Sequence, residues 1–120
     1  MSDILAQSRG AAGEQLAADY LQRQGLQLIE RNFRVRGGEI DLICRDGVST
    51  VFVEVRRRSR SDFGGAAASI TGAKQARLIL AARHWLQRHG ERPCRFDCVL
   101  IEGAEGAERI EWLRDAFPAD

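Results

Sequence analysis

A chain of 120 residues that is 44% hydrophobic can bury one core and is too short for two, so a single domain over residues 1–120 is expected, with residues 1–9 frayed. Its three cysteines, Cys44, Cys94 and Cys98, are odd in number and lack CxxC spacing, so neither a disulfide framework nor a zinc site is indicated. No apolar run approaches the roughly 20 residues that span a bilayer, and the opening Met1-Ser2-Asp3-Ile4-Leu5 has no secretory core, so no membrane association and a cytoplasmic location are expected. The formal net charge is only +1.

Residues 10–25 carry an apolar stripe of Leu16, Ala17, Tyr20 and Leu21 at helical spacing, with Gly25 as its stop. Glu14 falls in the first turn, where the helix dipole favours an acid and where it is also free to serve a site. Residues 26–35 read as an extended segment bearing Arg31 and Arg34. Arg36 follows, and Gly37-Gly38 turns the chain back.

The next two runs, Gly38 to Cys44 and Thr50 to Arg58, are rich in β-branched residues and flank a turn signal, which predicts a β-hairpin. Alternation puts Glu39, Asp41 and Ile43 on one face of the first strand and Phe52, Glu54 and Arg56 on one face of the second. A four-residue loop over Asp46 to Ser49 sets Asp41 opposite Glu54 and Glu39 opposite Arg56. A two-residue Asp46-Gly47 loop sets Asp41 opposite Phe52 instead. Either register leaves Asp41 and Glu54 within reach of one ligand. Val, Ile and Phe on both faces of these strands predict a sheet covered on both sides, in which two neighbouring carboxylates need a cation or a shared proton.

Residues 59–65 have the composition of a loop beside that site. A second helix over 70–89 is predicted from Gln75, Leu78, Ile79, Ala82, Trp85 and Leu86, with Gly90 ending it. His84 and His89 lie on this helix without a partner at zinc spacing. Residues 95–102 alternate as a strand reached by a helical crossover, hence parallel to the strand before the helix, and residues 108–117 form one last strand. The expected fold is α/β, a mixed sheet of order α-β-β-β-α-β-β flanked by helices.

Charge is unevenly spread, with eight arginines against four acids in residues 31–60 and two arginines against six acids in residues 102–120. Such a basic patch suits a phosphate-backbone partner, for which Arg31, Arg34, Arg36, Arg57, Arg58 and Arg60 are the candidate contacts. Lys74 is the sole lysine among the 18 basic residues.

These blocks resemble a known family, the YraN-like bacterial proteins, which are similar to archaeal Holliday-junction resolvases and to the PD-(D/E)xK nucleases of restriction-endonuclease-like fold. The resemblance covers about residues 10–117. It rests on Gly13-Glu14, Arg31-Asn32, Gly38-Glu39-Ile40-Asp41-Leu42-Ile43, Val51-Phe52-Val53-Glu54-Val55-Arg56, Lys74 with Arg77-Leu78, and Arg95-Phe96-Asp97.

The resemblance implies a single endonuclease-like domain in which Asp41, Glu54 and the Val55 carbonyl hold Mg²⁺ or Mn²⁺, with Glu14 auxiliary. Its partner would be nucleic acid, DNA in particular, and a two-fold-symmetric junction would favour a homodimer. One departure matters: the family's Glu-Val-Lys is here Glu54-Val55-Arg56. Arginine, with a pKa above ~12, is a poor base although it can stabilise phosphate charge. Three readings stay open: Arg56 acts electrostatically, Lys74 reaches the site from the second helix, or the protein is a nucleic-acid-binding module or assembly partner that does not cut.

Overall fold

The computed structural model of this chain describes residues 2–58 and 70–118, with side chains over residues 11–57 and 70–118. The elements run α1 (Ser2–Arg23), β1 (Gln27–Val35), β2 (Gly38–Asp46), β3 (Ser49–Arg58), α2 (Gly72–His89), β4 (Cys94–Glu102) and β5 (Arg109–Phe117). This is the predicted α-β-β-β-α-β-β order. α1 begins eight residues before the expected Gly10, since nothing in the Ser2 to Arg9 sequence is a glycine or proline that would break a helix. It stops where expected: Gly25 takes φ +101°, and the amides of Gly25 and Leu26 bond back to the carbonyls of Gln22 and Leu21, a Schellman end.

The five strands lie in chain order, β1-β2-β3-β4-β5, and every pairing is antiparallel except β3 with β4. The crossover through α2 makes that pair parallel, as the connection rule requires. Each face of the sheet carries its own core. Phe33, Ile40, Ile43, Phe52, Phe96 and Leu100 pack under Leu78, Ala81, Trp85 and Leu86 of α2. Leu42, Cys44, Val51, Val53, Val99 and Ile101 pack under Ala17, Ala18 and Leu21 of α1.

The β2–β3 ladder runs from Asp46↔Ser49 to Leu42↔Val53, with Gly47 at φ +62° opening a two-residue Gly47-Val48 turn. The register is the one that sets Asp41 opposite Glu54. The alternative with Asp41 opposite Phe52 is not adopted, because the turn closes on Gly47-Val48, where Gly47 supplies the positive φ, rather than on Asp46-Gly47.

At the far side of the sheet Asp97 is fully buried and ionically satisfied. It accepts from Arg95 Nε at 3.0 and 3.3 Å, from Trp112 Nε1 at 2.9 Å and from the Asp115 amide at 2.9 Å. The β4–β5 register shifts between Phe96 and Cys98, and Asp115 adopts φ +51° to deliver its N–H. The bulge is therefore the fit of an edge strand around one buried carboxylate.

Cys44 and Cys98 are buried; burial, with the Asp97 charge adding, pushes the Cys44 thiol up to about 12. His89 stacks on Trp85 and bonds through Nδ1 to the Trp85 carbonyl.

α2 is seated by Thr71, whose hydroxyl caps the Lys74 amide at 3.2 Å, and by Gly90 at its C-terminus. It crosses β2 closely at Gly38. A Cβ there would lie 2.5 Å from the Arg77 carbonyl oxygen and 3.1 Å from the Ala81 nitrogen, both backbone atoms that cannot rotate away. Gly38→Ala should therefore push α2 off the sheet and cost roughly 1–3 kcal/mol, read as a fall of several degrees in the midpoint of thermal unfolding. An unchanged midpoint would refute this close approach.

Candidate functional site

The site is one row across three strands. The pairs Arg31↔Leu42 and Phe33↔Ile40 bracket Asn32 and Asp41, and the β2–β3 register carries the row on to Glu54. Asn32 has φ +53°, a left-handed conformation that asparagine tolerates better than most residues. β1 also bulges between Leu28 and Glu30. Regular alternation slips in this row: Ile40 and Ile43, three apart, both reach the α2 core, while Leu42 and Cys44 reach the α1 core. The expectation that Glu39, Asp41 and Ile43 share one face by strict period two is thus corrected. The slip falls at Asp41.

Asp41 is half-buried, and its Oδ2 accepts the Val55 amide at 2.8 Å, so a side chain takes up an N–H beyond the last regular rung. Burial first, then the hydrogen bond to Glu54 and the charge of Glu54, push Asp41 up from the ordinary carboxylate range to about 8. The Val55 N–H pulls the other way and is outweighed; Glu39 adds a smaller upward push. Asp41, raised in this way, keeps its proton at neutral pH and can donate it to Glu54.

Glu14 approaches the same row from α1. Burial and then the Asp41 charge raise its pKa, while the Asn32 amide donates to it and Arg34 and Arg31 lie near enough to oppose the shift. Glu14, expected as an auxiliary acid, is therefore within electrostatic reach of Asp41.

On the α2 side a cleft of about 190 Å³ is lined by Glu39, Glu54, Lys74, Arg77 and Leu78. Lys74, the lone lysine, lines this cleft together with Glu54. Arg56 is half-buried on β3, and the described lining of the cleft does not include it. Glu39 pairs with Arg34 of β1 and Arg77 of α2, each at 3.6 Å, rather than with Arg56 across the hairpin.

The structure brings together Asp41, Glu54 and Glu14, sets Lys74 in a cleft with Glu54, and sorts the predicted basic contacts. Arg31 donates to Gln15 Oε1 at 2.7 Å, and Arg57 pairs with Glu108 at 3.1 Å. Arg36 is exposed. The Arg58 side chain, Arg60 and the loop over 59–65 lie outside the described residues. Sequence reasoning passed over Asn32, Glu39 and Arg77 as site residues; an asparagine in mid-strand, unfavourable there, was the available signal for the first.

Residues 13–101 match the model of an uncharacterised protein family, UPF0102. The chain belongs to that family. UPF0102 proteins of Dechloromonas aromatica (60% identical, 94% of this chain, 91% of the relative), Nitrosomonas europaea (59%, 93% and 95%) and Nitrosococcus oceani (56%, 98% and 97%) are similar over nearly their whole lengths. The family resemblance read from the sequence holds, and the UPF0102 match spans every residue of the row and the cleft, from Glu14 to Leu78.

The proton on Asp41 has a measurable consequence for stability. The folded carboxyl is pushed up to about 8 from its ordinary 3.8, so between those pH values the folded chain keeps a proton that the unfolded chain has lost. Stability on this account is fully present below pH ~4 and falls as pH rises through 8. Asp41→Asn, which keeps an acceptor for Val55, should gain in unfolding midpoint relative to the parent more at pH 9 than at pH 5. Equal differences at the two pH values would contradict the retained proton.

Proposed function

We propose that this chain is a metal-dependent nuclease that hydrolyses phosphodiester bonds in branched, nicked or otherwise structured DNA. The observation that carries the reading is the Asp41–Glu54 pair: two hydrogen-bonded carboxyls on adjacent strands, Asp41 oriented by the Val55 amide and Glu54 lining a cleft that Lys74 and Arg77 also line. A pair that takes up a proton at neutral pH is also a pair that a cation would relieve.

The donor set fits a hard ion. Among the described residues no group of three or more His, Cys, Asp and Glu side chains is placed to hold a metal. Two carboxylates, the Val55 carbonyl that the resemblance implies, and water suit Mg²⁺ or Mn²⁺, which keep much of their hydration. When bound, such an ion supplies charge to the pentavalent phosphate and acidifies water.

The chain's own groups divide the remaining work. Asp41 is oriented by the Val55 amide. Lys74 is the candidate to position or deprotonate the attacking water, because it lines the cleft with Glu54, while the position two residues after that glutamate, where the family motif has lysine, holds Arg56. Arg34 and Arg77 face the phosphate.

A second reading, a nucleic-acid-binding module or assembly partner that does not cut, is favoured by Arg56 standing in the lysine position. Fold alone does not separate the two.

Labelled flap, four-way junction, nicked and single-stranded substrates, each with Mg²⁺ or Mn²⁺, separate them. Cleavage by the parent is expected, lost in Asp41→Asn, Glu54→Gln and Lys74→Met, and partly restored in Lys74→Met by adding Arg56→Lys. Cleavage by Lys74→Met at the parental rate would remove lysine from the mechanism. If neither the parent nor Arg56→Lys cuts any substrate while affinity still falls steeply with salt, by roughly 0.9 in log-log slope per phosphate contacted, the binding-module reading takes over.

A further inference from the structure

We infer that Arg34, Lys74 and Arg77 form a phosphate subsite at the mouth of the cleft, and that Glu39 is its resident stand-in, a carboxylate that a substrate phosphate displaces. What would bring the phosphate there rests on the nuclease reading; the subsite itself rests on geometry. Arg34 Nε approaches Glu39 Oε2 and Arg77 Nη2 approaches Glu39 Oε1, each at 3.6 Å. Both separations exceed the roughly 2.7–2.9 Å of a charge-assisted hydrogen bond. Two guanidinium groups from different elements thus converge on one carboxylate, one oxygen each, without closing on it.

All three side chains are well exposed, at 71% for Arg34, 57% for Arg77 and 44% for Glu39. Exposed pairs of this kind hold weakly and exchange partners readily. Lys74 lies three residues before Arg77, on the same side of α2, and lines the same cleft. α2 carries Lys74, Arg77, Arg83 and Arg88 and no acid, so nothing on the helix competes for these cations.

A phosphodiester offers what Glu39 offers, anionic oxygens spread for two forked donors, and carries more oxygens to share with Lys74. Without an anion between them Arg34 and Arg77 would repel. Glu39 keeps them poised at the mouth, while Glu54 in the same cleft marks the acidic wall where chemistry would occur.

The test is calorimetric titration of the full chain with inorganic pyrophosphate in the absence of divalent ions. Glu39→Gln should bind about three- to tenfold more tightly than the parent, and Arg34→Ala and Arg77→Ala more weakly by a similar factor. Glu105→Gln, a neutralised carboxylate exposed in the β4–β5 loop, should change affinity less than twofold. An equal gain in Glu105→Gln would reduce the effect to net charge and overturn the subsite. So would unchanged or weaker binding by Glu39→Gln, or no binding by either the parent or Glu39→Gln.

Cleavage of the labelled substrates is read in parallel. Cleavage that continues in Arg77→Ala and Glu39→Gln with unaltered KM overturns the subsite and leaves the nuclease reading intact. Pyrophosphate affinity that rises in Glu39→Gln and falls in Arg77→Ala, with no substrate cut, supports the subsite and removes the nuclease reading.

Discussion

Two carboxyls face each other across the β2–β3 hairpin, and much of what surrounds them answers the cost of that contact. The sheet is covered on both faces, so neither Asp41 nor Glu54 can be fully solvated, and like charges opposite each other on a ladder destabilise it. Three local features offset this. The Val55 amide leaves the regular ladder to donate to Asp41, burial and the neighbouring Glu54 keep Asp41 protonated, and Asn32 donates to Glu14 so that a third acid can stand nearby. The left-handed backbone of Asn32 and the slipped alternation at Asp41 lie in the same row. Irregular backbone is thus concentrated where the charge is.

The opposite wall of the cleft depends on how closely α2 can lie on β2. Gly38 has no Cβ, and the Arg77 carbonyl occupies the space one would need. Arg77 is thereby brought to Glu39, and Lys74, one turn earlier, to the cleft that Glu54 also lines. The Thr71 cap fixes where that turn begins. A glycine in a strand thus governs which cations meet which acids, through backbone distance alone.

Much of this arrangement was legible in the sequence. Period-two patterning placed the hairpin, and the two candidate loops both kept Asp41 and Glu54 on neighbouring strands, so their meeting did not depend on choosing the turn. The 3.6-residue stripe from Leu78 to Leu86 placed α2 on the sheet, and the crossover rule gave the parallel β3–β4 pair. What escaped is what period cannot encode. A slip of alternation at Asp41 requires a compensating backbone conformation on a different strand, at Asn32. The partnership of Glu39 with Arg34 and Arg77 is set by the depth at which a helix docks. Arg31, Arg34 and Arg57 read as an open basic patch, yet each has a partner from another element.

Among the described residues, the two non-glycine residues with positive φ, Asn32 and Asp115, both lie in edge strands, and each edge also carries a register shift. An open five-stranded sheet presents two rows of backbone donors and acceptors that another chain could extend, and a bent or bulged edge is a poor template for that addition. Asn32 shapes one edge while serving the candidate site, and Asp115 shapes the other while satisfying a buried carboxylate. The same two residues therefore guard the chain against unwanted growth of its sheet.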